Sequence, residues 1–324
     1  VDLATGAADG RDWAPELAGI DGTYAAPFVH LEGRFQGLTH PHVVELTFDP
    51  AVVADAEKLR LLMTGWFFWT DASVNMAAAR TPGVDFVPPI FSVPDADSPT
   101  GWRDLGPPFG FPAGKTKTMV ADLTGQLDPA DPRLRIFSTL RLYWDLIRLA
   151  TDGDDAPTVT HELAVHSSDL WERGFSRPVK AVGLPDDLEW FDWSELEPEP
   201  RWNQHPGRYT RLGDVTPLLE EPEDRFVILG SGDSLHLRFD ASGVPPVPEG
   251  YRRDYLVYLD GWAKDRDPNA VDCEFVEPMP FHGMSGFPYG PNESFPDSPE
   301  HRAWAAEWNT RDARTWIEPL APGR

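Results

Sequence analysis

The chain is short of three things: cysteine, basic residues and long apolar runs. Cys273 is the only cysteine among 324 residues, so no internal disulfide can form and no thiolate metal cluster can be built. Lysine and arginine together number 28 against 53 aspartates and glutamates, a net charge of -25. Such a field repels phosphate backbones and anionic bilayers at long range, which argues against nucleic acid as a partner. Nowhere do roughly 18 apolar residues follow one another, so no membrane insertion is expected. Residues 1–10 have neither the basic start nor the apolar centre of a secretory signal, and the chain as it stands is read without one.

Proline and tryptophan are plentiful instead, at 34 and 13 residues. Proline at that density interrupts helices and joins strands through shaped loops. Tryptophan needs either a deep core or a binding face, and an apolar fraction of 41% is enough for a core.

The clearest period lies at 134–146. Leu134, Ile136, Ser138, Leu140, Leu142, Trp144 and Leu146 occupy the even positions, while Arg135, Thr139, Arg141 and Asp145 occupy odd ones. Successive side chains of a strand point to opposite faces, so this pattern predicts a strand with one buried face. Extended from 133 to 149 it would exceed ~50 Å, which calls for one bent strand or two strands split by a bulge. Strand 117–123 is expected beside it, with 124–132 as the connection, and further strands at 42–48, 158–166, 170–175, 226–229, 234–239 and 253–258. The continuous apolar run 59–69 predicts a strand buried on both faces. Asp71 stands where an N-cap belongs, ahead of a short helix at 72–80, and a second helix is expected at 301–308. The proline-dense segment 81–112 reads as loop. These elements predict an all-β fold: an antiparallel two-sheet sandwich of jelly-roll type with long Pro- and Trp-rich loops. Residues 1–27 form a surface arm on a single domain over 28–324, which carries a loop excursion at 178–217 and a tail at 276–324.

Several motifs invite a chemical reading. His40 and His42, in the order HxH, put two imidazoles on one side of an extended segment and could chelate a transition metal. Asp265, Asp267 and Asn269, shortly after Asp260, show the alternating oxygen ligands of a calcium loop. Ala270 and Val276 stand where that loop wants glycine and a bidentate glutamate, which excludes an EF-hand and leaves another calcium or magnesium loop, or a solvated acidic turn. Gly114, Lys115 and Thr116 lack the first glycine of a phosphate loop, since position 109 is phenylalanine, and read as a strand-entry turn. In HELAVH (161–166) the second histidine comes one place too late for a zinc protease. Ser285 lacks the flanking pattern of a nucleophile elbow, and Asp272 and Glu274 beside Cys273 would raise its thiol pKa.

Loop-borne aromatic and polar residues carry the leading functional expectation. Trp202, His205, Arg208, Trp262, Lys264 and His282 suit stacking and polar contact with a small molecule, a glycan or a protein. The expected face combines 178–217, 260–269 and 278–289 on a non-catalytic binding module. An alternative is a metal-assisted enzyme in which His40, His42, His205 or His282 works with Asp145 or Asp265 as acid, base or ligand. A third is a structural subunit of an assembly.

Longer strings resemble a known family: TGWFFWTDASVN (64–75), GFPAGKTKTMVADL (110–123), LRIFSTLRLYWD (134–145), HPGRYTRLGDV (205–215), LDGWAKDRDPN (259–269) and EPMPFHGM (277–284). Together they are similar to the β-rich C-terminal region that follows the FG-GAP propeller and ASPIC/UnbV segment in bacterial proteins related to cartilage acidic protein. The resemblance runs from about residue 59 to 284 and implies a β-rich fold. It carries no catalytic residue into this chain, which itself lacks the propeller and its repeated DxDxDG calcium loops.

Overall fold

Arg141 divides the alternating run, and the two pieces enter different sheets. The computed structural model describes residues 2–5, 11–31, 33–151, 157–180 and 189–317. Expectations for 6–10, 181–188 and 318–324, in the arm, the excursion and the tail, lie outside the described residues. Internal contacts cluster into two compact units, 1–158 and 159–324, where the even composition of the chain suggested one domain over 28–324.

In the first unit the chain runs through β1 (Asp2–Thr5), β2 (Leu38–Thr47), α1 (Pro50–Asp55), β3 (Arg60–Phe67), α2 (Ala72–Ala79), β4 (Ile90–Pro94), β5 (Trp102–Asp104), β6 (Lys117–Asp122), β7 (Arg133–Leu140) and β8 (Leu142–Ala150). One antiparallel sheet has the order β1-β2-β7-β4-β5 and another β6-β3-β8. Their inner faces supply a common core, with Val44, Leu46, Leu134 and Ile136 from the first and Leu61, Met63, Ala121 and Ile147 from the second. This is the all-β, sandwich-like arrangement that the alternation predicts.

The switch between sheets is held by main-chain bonds of the residue that separates them. Arg141 N–H donates to Gly37 O at 2.9 Å, just ahead of β2, and its carbonyl accepts from Phe68 N at 3.0 Å, just after β3. Each sheet is thus tied to the corner from one side. The Arg141 side chain is buried; its Nε donates to Tyr143 Oη at 2.8 Å and its guanidinium lies 4.3 Å from the Phe68 ring centroid. Gly65 permits the matching irregularity in β3, where the register with β8 shifts, because a Cβ there would collide with the Tyr143 carbonyl and the Trp144 ring.

Around the switch the expected outer face is covered. Thr139, Arg141 and Asp145 are all buried, and each has a specific cover. Thr139 Oγ1 donates to Asp85 O at 2.5 Å and accepts from Val87 N at 2.8 Å. Asp145 Oδ1 accepts from Asp21 N and Gly22 N at 3.1 and 3.2 Å. The arm is therefore integrated with the domain: Leu17 and Ala25 are buried, Ala25 bridges Trp144, and β1 pairs with β2.

Two more expectations are corrected here. Strand 117–123 exists as β6, but it is the edge partner of β3 and belongs to a different sheet from β7. The proline-dense 81–112 segment contains β4 and β5, whose prolines sit at or beyond the paired stretch, so Ile90, Phe91 and Ser92 still pair with β7. The helix expectation holds: Asp71 caps α2, its Oδ1 accepting from Val74 N at 2.7 Å.

The second unit has shorter pieces: β9 (Val165–Glu172), β10 (Phe175–Lys180), β11 (Glu189–Glu197), β12 (Arg208–Tyr209), β13 (Gly213–Asp214), β14 (Asp233–Phe239), α3 (Pro299–Trp308) and β15 (Arg311–Asp312). Its sheets are the hairpin β10-β11, the pair β12-β15 and the trio β13-β9-β14. Ser298 caps α3, and the helix buries Trp304 and Trp308 against Leu170, Val215 and Leu218. Of the strands expected at 226–229, 234–239 and 253–258, only the middle one forms. Ile228 bonds Thr210 through both main-chain groups instead of a ladder, and 253–258 has no pairing at all among the described residues.

Candidate functional site

The segment after Gly250 reads YRRDYLVYLDGWAK. Tyr255, Leu256, Val257, Tyr258 and Leu259 are 64–100% exposed. Immediately after this run, Asp260, Trp262 and Lys264 reach the loop around 275–289. Asp260 Oδ2 lies 2.9 Å from His282 Nε2. The half-exposed Trp262 ring packs against Phe287, with centroids 5.3 Å apart, and Lys264 Nζ lies 5.3 Å from the same Phe287 ring. Inward from Phe287 the aromatic contacts continue through Tyr289, Phe281 and Phe295 to the buried Trp304 of α3. The exposed tryptophan therefore stands on a chain of rings rooted in the core of the second unit.

His282 has a second acidic partner. Its Nδ1 is 2.7 Å from Asp224 Oδ1, and its main-chain N–H donates to the same oxygen at 2.9 Å. Hydrogen bonds to Asp260 and then Asp224 raise the imidazole pKa above its ordinary value. Lys264 is engaged differently. Its ammonium donates to the carbonyls of Phe275, Val276 and Pro278 at 3.1, 3.0 and 2.6 Å, which matches its three N–H groups. Partial burial nonetheless lowers its pKa.

His205 sits against the far end of this loop. Val276 N donates to Pro206 O at 3.1 Å, and Gly207 approaches so closely that a Cβ would lie 2.6 Å from Val276 Cβ. Burial, followed by the charge of Arg266, lowers the His205 pKa, and its Nε2 is buried without a hydrogen-bond partner. Burial also raises the Cys273 thiol, with Asp265 adding to the effect, so this cysteine is a poor nucleophile.

The structure thus gathers Asp260, Trp262, Lys264 and His282, with His205 at one end. Trp202 and Arg208 serve elsewhere. Trp202 packs on Phe175 and Phe191 beside the β10-β11 hairpin, with the Arg201 guanidinium 5.2 Å from its ring. Arg208 pairs with Asp312 at 3.0 Å where β12 meets β15.

Among the metal candidates, His42, Asp260, Asp265 and Asp267 have partners within the chain. His40 is exposed while His42 is buried, because an irregularity between Leu38 and His42 breaks the alternation that would have aligned them. His42 Nδ1 lies 3.1 Å from Thr39 Oγ1, and burial pushes its pKa down to about 4. Asp265 and Asp267 cap successive turns, accepting from Asp267 N and Asn269 N at 3.0 and 2.8 Å. Among the described residues no three His, Cys, Asp or Glu side chains converge as a metal would need, nor is any helix long and apolar enough to cross a membrane. Comparison with protein-family models, with curated proteins and with solved structures finds no match to this chain.

Sequence reasoning missed Asp224, Phe287 and the exposure of 255–259. The last had a signal that pointed the wrong way: Tyr, Leu and Val in a row favour a strand, and nothing local shows that the strand goes unpaired. Asp224 and Phe287 carried no signal of their own.

Proposed function

We propose that this chain is a partner-binding module without catalytic chemistry of its own, and that residues 255–262 with Phe287 form the face on which another protein docks. The observation that carries the reading is the apolar run Tyr255 to Leu259, 64–100% exposed and unpaired among the described residues. Contiguous apolar surface on this scale is unfavourable in water and is typical of places where proteins meet. Trp262 extends the run and rests on Phe287, an aromatic anchor of the kind that dominates interface energies. Around it, residues 241–300 hold eleven acidic and four basic side chains, which favours a partner with a basic surface.

The groups suited to acid–base work are engaged in ways that fit this reading. His282 has a carboxylate at each nitrogen, His42 is buried, and Asp145 accepts main-chain N–H groups. The family resemblance likewise brings no catalytic residue.

A second reading, a glycan site, is favoured by one observation: Trp262 presents a ring face next to the polar Asp260 and His282, and sugars stack on such rings. A photoreactive amino acid in place of Leu256 separates the two. A partner protein gives a discrete adduct identifiable by mass spectrometry, which Trp262→Ala reduces ~10-fold or more, the effect of losing an interface anchor. Absence of any Trp262-dependent adduct defeats the protein reading. Trp262-dependent binding on a glycan array would support the second.

A further inference from the structure

His282 meets a carboxylate at each ring nitrogen, and the two carboxylates come from separate parts of the chain, Asp224 and Asp260. An ionised carboxylate only accepts hydrogen bonds, while a neutral imidazole carries one N–H. Contacts of 2.7 and 2.9 Å are both hydrogen bonds only when the ring holds two protons. If one proton leaves, one of the carboxylates faces a lone pair.

The two partners are not equally free to respond. Asp224 keeps a second bond to the same loop through the His282 main-chain N–H, and its side chain is 19% exposed. Asp260 is 37% exposed and belongs to the segment that has no sheet pairing among the described residues. Release therefore falls on Asp260.

We propose that protonated His282 is a clasp that holds Asp260, and with it residues 255–262, against the loop carrying His282 and Phe287, and that the clasp opens when the ring loses its proton. As regulation of binding, this rests on the reading of that face given above; as a conformational device, it rests on the geometry of the three side chains. Other charged groups nearby are satisfied without the imidazole. Glu223 and Arg225, flanking Asp224, pair with each other at 2.6 Å. Glu293 accepts from Ser285 on the His282 loop, and Lys264 is bound to three carbonyls. The ordinary imidazole value of 6.5 is raised here, so the closed form is complete below that pH and is lost as pH rises through the higher folded value.

Nuclear magnetic resonance on the intact chain tests this in one titration. Nitrogen shifts of the His282 ring report its protonation, and backbone relaxation reports the mobility of 255–262. The expected result is a doubly protonated ring where a free histidine is already neutral, with mobility rising as that ring titrates. In His282→Gln the segment is mobile at every pH, and in Asp260→Asn it no longer follows the ring. A ring that is neutral by about pH 6, or the same pH response in His282→Gln, overturns the proposal. The wild-type titration stands by itself if a variant folds poorly. Should the Leu256 adduct fail while the clasp titrates as described, the binding reading falls and the clasp remains. The reverse outcome leaves a binding face without this control.

Discussion

Arg311 and Asp233 form a two-point ion pair inside the second unit, Nη1 to Oδ1 at 3.0 Å and Nη2 to Oδ2 at 2.5 Å, with 12% and 1% of their side chains exposed. Arg311 Nε also donates to Thr210 O at 3.1 Å, and Asp233 accepts from Gly230 N at 2.8 Å. The pair thereby connects β15, the start of β14 and the turn before it. Removing one charge leaves the other buried without its counterion, so Asp233→Asn is expected to destabilise the second unit by ~3 kcal/mol. Arg311→Lys should also weaken it, because an ammonium cannot reproduce the planar fork. Urea unfolding followed by tryptophan fluorescence measures both; a loss below ~1 kcal/mol for Asp233→Asn would mean the site is wet.

His42 gives the first unit a pH dependence of defined sign. Its folded pKa of about 4 lies below the ordinary 6.5, so between those values the unfolded chain binds the proton more readily. Stability is complete above pH 6.5, falls as pH drops, and levels off below about 4, a change of roughly 3 kcal/mol from this residue. Replacing His42 with Gln should flatten that part of the stability profile. Equal slopes for wild type and His42→Gln between pH 4 and 6.5 would remove His42 as the cause.

Two glycines with the same backbone sign should behave differently. Gly37 has φ +77°, and a Cβ there would lie 2.6 Å from both the Phe68 and Trp69 carbonyl oxygens. Gly114 has φ +80° with nothing within 4 Å. Gly114→Ala meets only the left-handed strain, ~1 kcal/mol, whereas Gly37→Ala also disturbs the corner bound to Arg141 and should lose ~2 kcal/mol or more. Thermal denaturation of the two variants side by side is sufficient, and a similar small loss for both would show that the corner yields.

Lys264 separates a structural from a binding role within one cluster. Lys264→Met should increase amide exchange across 275–278 and cost ~1–2 kcal/mol, since three carbonyls lose a charged donor. Trp262→Ala should leave that exchange nearly unchanged, because the ring is half exposed. If the lysine variant exchanged like wild type, its three hydrogen bonds would be shown to contribute little.

The comparison between sequence and structure turns on range. Alternation around Leu134 to Trp144, the Asp71 cap and the helix ending in Trp308 were legible because each depends on neighbours a few residues away. The length of the run called for a bend or a split but did not place it, and only the pairing of Leu140 and Leu142 in different sheets puts the break at Arg141. The alternation did not announce that Thr139, Arg141 and Asp145 would be covered, since their covers come from residues 85, 68 and 21–22. Trp202 and Trp262 look equivalent as loop tryptophans, yet one packs by the β10-β11 hairpin and the other on Phe287.

Composition and period by themselves determined an acidic chain of antiparallel strands with capped short helices, because charge is additive and strand and helix periods are set by bonds between near neighbours. Only the tertiary structure decided that His282 stands between Asp224 and Asp260 while 255–259 has no strand partner among the described residues. Those relationships close loops of tens of residues. Their energy comes from the whole packed unit, and no local pattern encodes it.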